Sequence, residues 1–123
     1  MKMNLKRQAQ ALSCLLACVF SFPSIAGYVS LYDTEVTSVL GGYEHDGMFF
    51  ESSKDVPNPA SCSNGENAKT TIAVAPASSV VNHVMSIALA AQTTKAKIDV
   101  HIYDDKCFEG YPVLRRIKIK PAP

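Results

Sequence analysis

From Val80 to Ala91 the apolar residues recur at helical spacing, whereas the other clearly patterned stretches after residue 27 alternate as strands do. One helix set among strands restricts a chain to few architectures. Ser78 or Ser79 is expected to cap this helix, which should run to about Thr93. On a wheel of about 100° per residue, Val80, Val81, Val84, Met85, Ile87, Ala88, Leu89 and Ala91 fill an arc of roughly 200°. Asn82, His83, Ser86, Ala90 and Thr93 occupy the remaining strip. A helix resting on one core needs a stripe only a little over ~100° wide. This helix is therefore expected to bury more than one side, the first on its own sheet and the surplus on a neighbouring subunit.

Three full strands, preceded by one shorter segment, are expected before the helix. Residues 28–32 are apolar and aromatic and suit a short edge strand or an N-terminal arm. Residues 35–43 read as the first full strand, because Val36, Thr37 and Val39 favour extended backbone. Gly41-Gly42 suggests a bulge or sharp bend at its tail, and His45-Asp46-Gly47 suggests a hairpin turn. The chain then returns over residues 48–52. Residues 53–69 are rich in Pro, Asn, Ser and Gly and predict irregular structure around Cys62. Residues 70–75 alternate as a third strand, stopped by Pro76.

After the helix, residues 97–103 give the cleanest alternation, with Ile98, Val100 and Ile102 set against Asp99, His101 and Tyr103. Residues 104–112 predict a loop that holds Cys107, and residues 113–120 predict the last strand. The expected class is mainly β with one helix, in the order β-β-β-α-β-β. That order matches an OB-fold-like small Greek-key barrel. An α+β sandwich built from the same elements stays open.

The first 26 residues predict a secretory signal peptide. Lys2, Lys6 and Arg7 form a basic head, and an apolar run from Ala11 to Phe22 is interrupted by Ser13 and Ser21. Pro23 ends that run, and Ser24-Ile25-Ala26 offers small residues for a cut after Ala26. About a dozen apolar residues fall short of the ~20 of a permanent span. Leu15-Leu16-Ala17-Cys18 loosely resembles a lipobox, which keeps lipidation at Cys18 as a rival. The expected organisation is a leader over residues 1–26 and a single domain over residues 27–123, secreted or periplasmic, with no transmembrane segment once the leader is removed.

Without the leader's three basic residues the chain keeps nine against eleven acids, a net charge of −2. A weakly acidic exported domain has no electrostatic drive toward nucleic acid. Cys14 and Cys18 leave with the leader, so Cys62 and Cys107 are the two cysteines left. In an oxidising compartment such a pair most simply forms a disulfide.

No GxSxG, HExxH or phosphate-binding glycine loop is present, so no enzyme is expected, and no cofactor or metal. His45, His83 and His101 are scattered, and Asp104-Asp105 lacks the spacing of a calcium loop. Tyrosines beside carboxylates are the residues that suit carbohydrate. Aromatic rings cover a sugar's apolar face, and Asp, Asn or Ser satisfies its hydroxyls. Tyr32-Asp33-Thr34 and Tyr103-Asp104 are such groupings, and Tyr32, Asp33, Tyr103 and Asp104 are the candidate glycan-binding residues. Tyr43 and Tyr111 are lone candidates, and the absence of Trp weakens the carbohydrate case.

Asn58-Pro59-Ala60-Ser61-Cys62, the helix end Ser86-Ile87-Ala88-Leu89-Ala90-Ala91-Gln92, the segment from Ile98 to Tyr103, and Cys107 followed by Ile117-Lys118-Ile119 resemble a pattern in small exported bacterial proteins. That group resembles the binding subunits of pentameric toxins of the subtilase-cytotoxin and pertussis-like type. The resemblance spans roughly residues 35–120 and lies in layout and short motifs. It implies an OB-fold, a homopentameric ring, a cell-surface glycan as ligand and a catalytic A subunit as partner. It carries no sugar-contacting residue over to this chain. The expected function is thus an exported, non-catalytic, glycan-binding subunit of a homo-oligomer. The alternative is a monomeric periplasmic OB-fold protein that binds a small ligand or cation, or inhibits a partner protein.

Overall fold

The computed structural model describes residues 25, 27–41, 47–76 and 80–122. Apart from Ile25, the expected leader lies outside the described residues, as do Tyr43, most of the 45–47 turn and the helix cap at Ser78 or Ser79. Among the described residues, six strands and one helix follow in the order β1 (Tyr28–Thr34), β2 (Val36–Leu40), β3 (Met48–Ser52), β4 (Thr71–Val74), α1 (Val80–Thr94), β5 (Ile98–Phe108) and β6 (Tyr111–Ile119).

β1 and β2 are the two halves of one extended run that turns a corner. Asp33 takes φ 55, and the ladder registers break between Leu31 and Thr34 and again between Val36 and Ser38. Such irregularities bend a strand sharply. Before the corner the chain pairs antiparallel with β5, and after it with β3. The sheet order β1-β5-β6-β4-β3-β2 therefore ends on two strands joined through Glu35, and the sheet curls into a barrel. β4 and β6 meet in parallel through Ala73 and Val113. This is the small Greek-key barrel with one helix that the element order predicts. The segment over residues 28–32, read as an edge strand or an arm, is the first half of the bent strand.

Alternation puts Met48 and Phe50, Ile72 and Val74, and Ile98, Val100 and Ile102 into one core with Val36 and Leu114. From α1 only Val84, Ala88 and Ala91 are fully buried. Their spacing makes one narrow stripe, and the two alanines bring the helix close against the barrel. The broad apolar arc is thus only partly used within the chain: Val80 is 49% and Leu89 46% exposed. A groove of about 220 Å³ lies between α1 and the β4–β6 wall, lined in part by Val74, Val80, Val84, Ile87, Leu114 and Ile117.

Residues 104–112 are not the loop that their polarity predicts. β5 continues through Asp104 and Cys107 to Phe108, and β6 begins at Tyr111. Glu109 and Gly110 connect them with φ 50 and 78. Two successive positive φ values make the two-residue turn whose twist matches a hairpin. Asp104, Asp105 and Lys106 have weak strand propensity and fall where the β5–β6 register shifts; the Ile102–Leu114 and Cys107–Pro112 pairs on either side, with the Asp104 N–H bond to the Gly27 carbonyl, hold the run extended.

The Cys62–Cys107 disulfide is present, with a Cα separation of 5.6 Å. It joins the irregular segment to a strand rather than to a second loop. That segment is otherwise held by local bonds. The Asn58 side chain both accepts from the Cys62 N–H (2.8 Å) and donates to the Cys62 carbonyl (2.9 Å). Asn64 donates from its backbone N–H to the Gly110 carbonyl (2.8 Å) and from its side chain to the Glu109 carbonyl (2.9 Å).

Candidate functional site

The outer face of β1, β5 and β6 carries the most concentrated chemistry. Register places Tyr28 opposite Tyr103 and Ser30 opposite His101, so β1 and β5 show these side chains on the same side of the sheet. The Tyr28 and His101 rings stack with centroids 4.6 Å apart and planes 2° from parallel. On β6, Arg116 faces His101 while Leu114 faces Ile102, which leaves Arg115 as the extra residue of a bulge. Alternation breaks there. Val113 and Leu114 are buried, and Arg115 and Arg116 are both exposed.

The Arg115 guanidinium lies 4.6 Å from the Tyr28 ring centroid and 5.8 Å from that of Tyr103. The Lys106 ammonium lies 4.2 Å from the Tyr103 centroid. Each such contact contributes about 0.5–1 kcal/mol at an exposed site. A guanidinium over an aromatic ring can still offer N–H groups to a planar anion. Among the described residues the ion pairs join Lys97 to Glu35 and Lys120 to Asp33 and Asp99, and Arg115, Arg116 and Lys106 belong to none of them.

The candidate residues are divided between the two ends of β1. Tyr103 stands opposite Tyr28 in the ladder and beside the Lys106 and Arg115 cations. Asp104 accepts the Gly27 N–H at 3.0 Å, and its own N–H bonds the Gly27 carbonyl at 3.3 Å, so it secures the start of β1. Tyr32 stands four residues beyond Tyr28, roughly 13 Å along the strand, and is 56% exposed. Its carbonyl accepts the Lys54 ammonium at 3.0 Å. The Asp33 carboxylate takes the Lys120 ammonium at 2.5 Å, and its N–H bonds Asp99 at 3.0 Å. The two tyrosine–aspartate pairs therefore do not converge on one site.

The Tyr32 end is an electrostatic clasp. Partial burial pushes the Asp99 carboxyl up, but the Asp33 N–H and the Lys120 ammonium outweigh it and hold the carboxyl below its usual range. Hydrogen bonds from Lys120 to Asp33 and Asp99 push the Lys120 ammonium up. The bond from Lys97 to Glu35, at 2.5 Å, lowers the Glu35 carboxyl. Tyr111 packs edge-on against Phe49, with centroids 5.3 Å apart, and helps cover the barrel wall. No group of three or more His, Cys, Asp or Glu among the described residues is placed to hold a metal.

The stack brings in Tyr28, His101, Lys106 and Arg115, which motif reasoning passed over. Two signals for them lie in the sequence. The consecutive arginines break the alternation of the last strand, as a bulge requires. Five of the nine basic residues after position 27 lie between Lys106 and Lys120, an asymmetry hidden by the net charge. No family model matches the chain, and no curated protein matches it.

Proposed function

We propose that this chain is an exported, non-catalytic binding subunit that recognises a glycan bearing an acidic sugar such as a sialic acid, and that it works as a homopentameric ring. The supporting observation is the stacked Tyr28 and His101 rings, with Tyr103 opposite Tyr28 in the ladder, beside Arg115, which no ion pair among the described residues uses. Aromatic faces suit the apolar side of a pyranose, and an unpaired guanidinium edge suits a carboxylate in bidentate geometry. The site is shallow and open, so a single copy should bind at about millimolar strength, roughly 4 kcal/mol. Five copies on one ring raise the apparent affinity by roughly 10²–10⁴ through multivalency alone. The exposed apolar side chains Leu40, Val80 and Leu89 are what a subunit contact would cover. A catalytic A subunit is the partner such a ring would carry.

The test is a glycan array probed with the processed protein, with its mass in solution measured by light scattering. Binding to sialylated but not to desialylated glycans, lost in Tyr28→Ala and Arg115→Gln variants that keep their melting temperature, is the expected result. A confirmed pentamer with no glycan signal overturns the ligand. The groove between α1 and the β4–β6 wall favours a second reading, a monomeric periplasmic protein that holds a small apolar ligand. A monomer that binds such a ligand and ignores glycans decides for it.

A further inference from the structure

Gly27 sits immediately after the expected cleavage point, and its backbone nitrogen meets the Asp104 carboxylate at 3.0 Å. The contact is closely fitted. A Cβ built on Gly27 would lie 2.3 Å from Asp104 Oδ2, so a side chain there would displace the carboxylate. The Asp104 N–H closes the arrangement by bonding the Gly27 carbonyl at 3.3 Å. Asp104 is partly buried, and no ion pair among the described residues uses it. In the precursor this nitrogen is a neutral amide with one hydrogen. After cleavage it is an ammonium with three hydrogens and a positive charge, the partner that a lone carboxylate lacks.

We propose that Asp104 is the socket for the new N-terminus: cleavage after Ala26 creates a Gly27 α-ammonium–Asp104 ion pair that fixes the start of β1 and sets Tyr28 into the aromatic stack. The inference rests on the reading of residues 1–26 as a cleaved leader. It makes processing a step in building the ligand site, because one peptide bond separates the captured nitrogen from Tyr28. Tyr28 in turn touches both His101 and Arg115. Asp104 is thus a positioning residue, and its place at the site depends on the N-terminus.

The test uses the full chain expressed with its own leader and purified from the exported fraction. The first residue is read by mass spectrometry. Wild type and Asp104→Asn are then compared with the α-amino group free and after its selective acetylation. The expected result is that acetylation lowers the melting temperature of wild type by about 4–8 °C and leaves Asp104→Asn unmoved. The α-amino group of wild type should titrate above the usual ~7.7–8.0, and Asp104→Asn should return it to that range. At this end, the charged groups on the elements packed against it are Asp104, Asp105 and Lys106 on β5 and Arg115 on β6. The two cations sit over the Tyr103 and Tyr28 rings and oppose the upward shift. Equal destabilisation of free and acetylated protein by Asp104→Asn overturns the ion pair and leaves a neutral hydrogen bond. A first residue other than Gly27 removes the reading on which the proposal rests, and mass spectrometry reports that outcome separately.

Discussion

Replacing both members of the disulfide, as Cys62→Ala with Cys107→Ala, should destabilise the domain by about 4 kcal/mol. The value follows from the 45-residue separation of the bonded cysteines, for which the chain-entropy account gives a loss of ~13 cal/mol/K from the unfolded state. For a domain of this size each kcal/mol moves the melting temperature by about 4–8 °C, so the midpoint should fall by roughly 16–32 °C. Alanine suits both sites, since a hydroxyl at Cys62, which is 1% exposed, would lack water and add a second effect. The native fold should survive the change, because the Asn58 bonds to Cys62 involve its backbone and the Asn64 bonds still tie the segment to the 109–110 turn. Thermal and urea unfolding, both followed by far-ultraviolet dichroism, measure the midpoint and the urea slope. Releasing the cross-link lets the unfolded chain expand, so the slope of stability against urea should rise as the midpoint falls. A midpoint shift below ~4 °C with an unchanged slope would refute the reasoning, since it would mean that the bond constrains neither state.

The helix separates folding from assembly: Val84→Asp should unfold the chain, since it buries an unpaired carboxylate at several kcal/mol, whereas Leu89→Asp should keep the melting temperature within ~1 °C and lower the mass seen by light scattering. Ala88→Leu should lose about 1–3 kcal/mol by overpacking, because Ala88 is fully buried against the barrel. The clasp gives an acid-sensitive contribution. The folded Asp99 carboxyl titrates below its unfolded value, so its stabilising effect is complete above the ordinary carboxylate range and is lost as pH falls through the folded value. The difference in midpoint between wild type and Asp99→Asn should therefore be larger at pH 6 than at pH 2, and thermal melts at the two pH values check it.

The core was legible in sequence because alternation and helical period report burial directly. Ile98, Val100 and Ile102 point inward as their spacing predicts, and Val84, Ala88 and Ala91 lie on the expected stripe. The cysteine pairing followed from elimination. Two features escaped, both because pairing partners decided them. The polar run from Asp104 to Lys106 is extended because the pairs that bracket it, Ile102–Leu114 and Cys107–Pro112, are fixed by β6, and no local propensity reveals a neighbour. The corner at Asp33 and Glu35 has no glycine to mark it, yet it converts an apparent arm into half of the closing strand. The candidate residues were chosen by adjacency along the chain, which pairs Tyr32 with Asp33 and Tyr103 with Asp104. A sheet places residues from different strands side by side, so Tyr28 stacks on His101, and Arg115 lies over Tyr28 and near Tyr103.

The bent first strand also bears on when the domain can form. Tyr28 finds Tyr103, and Thr34 finds Ile98, across 75 and 64 intervening steps of chain. Until β5 has been synthesised, the Tyr28 half of that strand has no β partner, and the cylinder stays open along one side. Such distant pairing makes folding slow, on the millisecond-to-second scale of non-local β topologies. A chain that must thread a membrane before it folds gains from this delay. On the proposed reading of residues 1–26 as an export leader, the end of the chain that engages the export machinery belongs to the segment that waits longest for its partner.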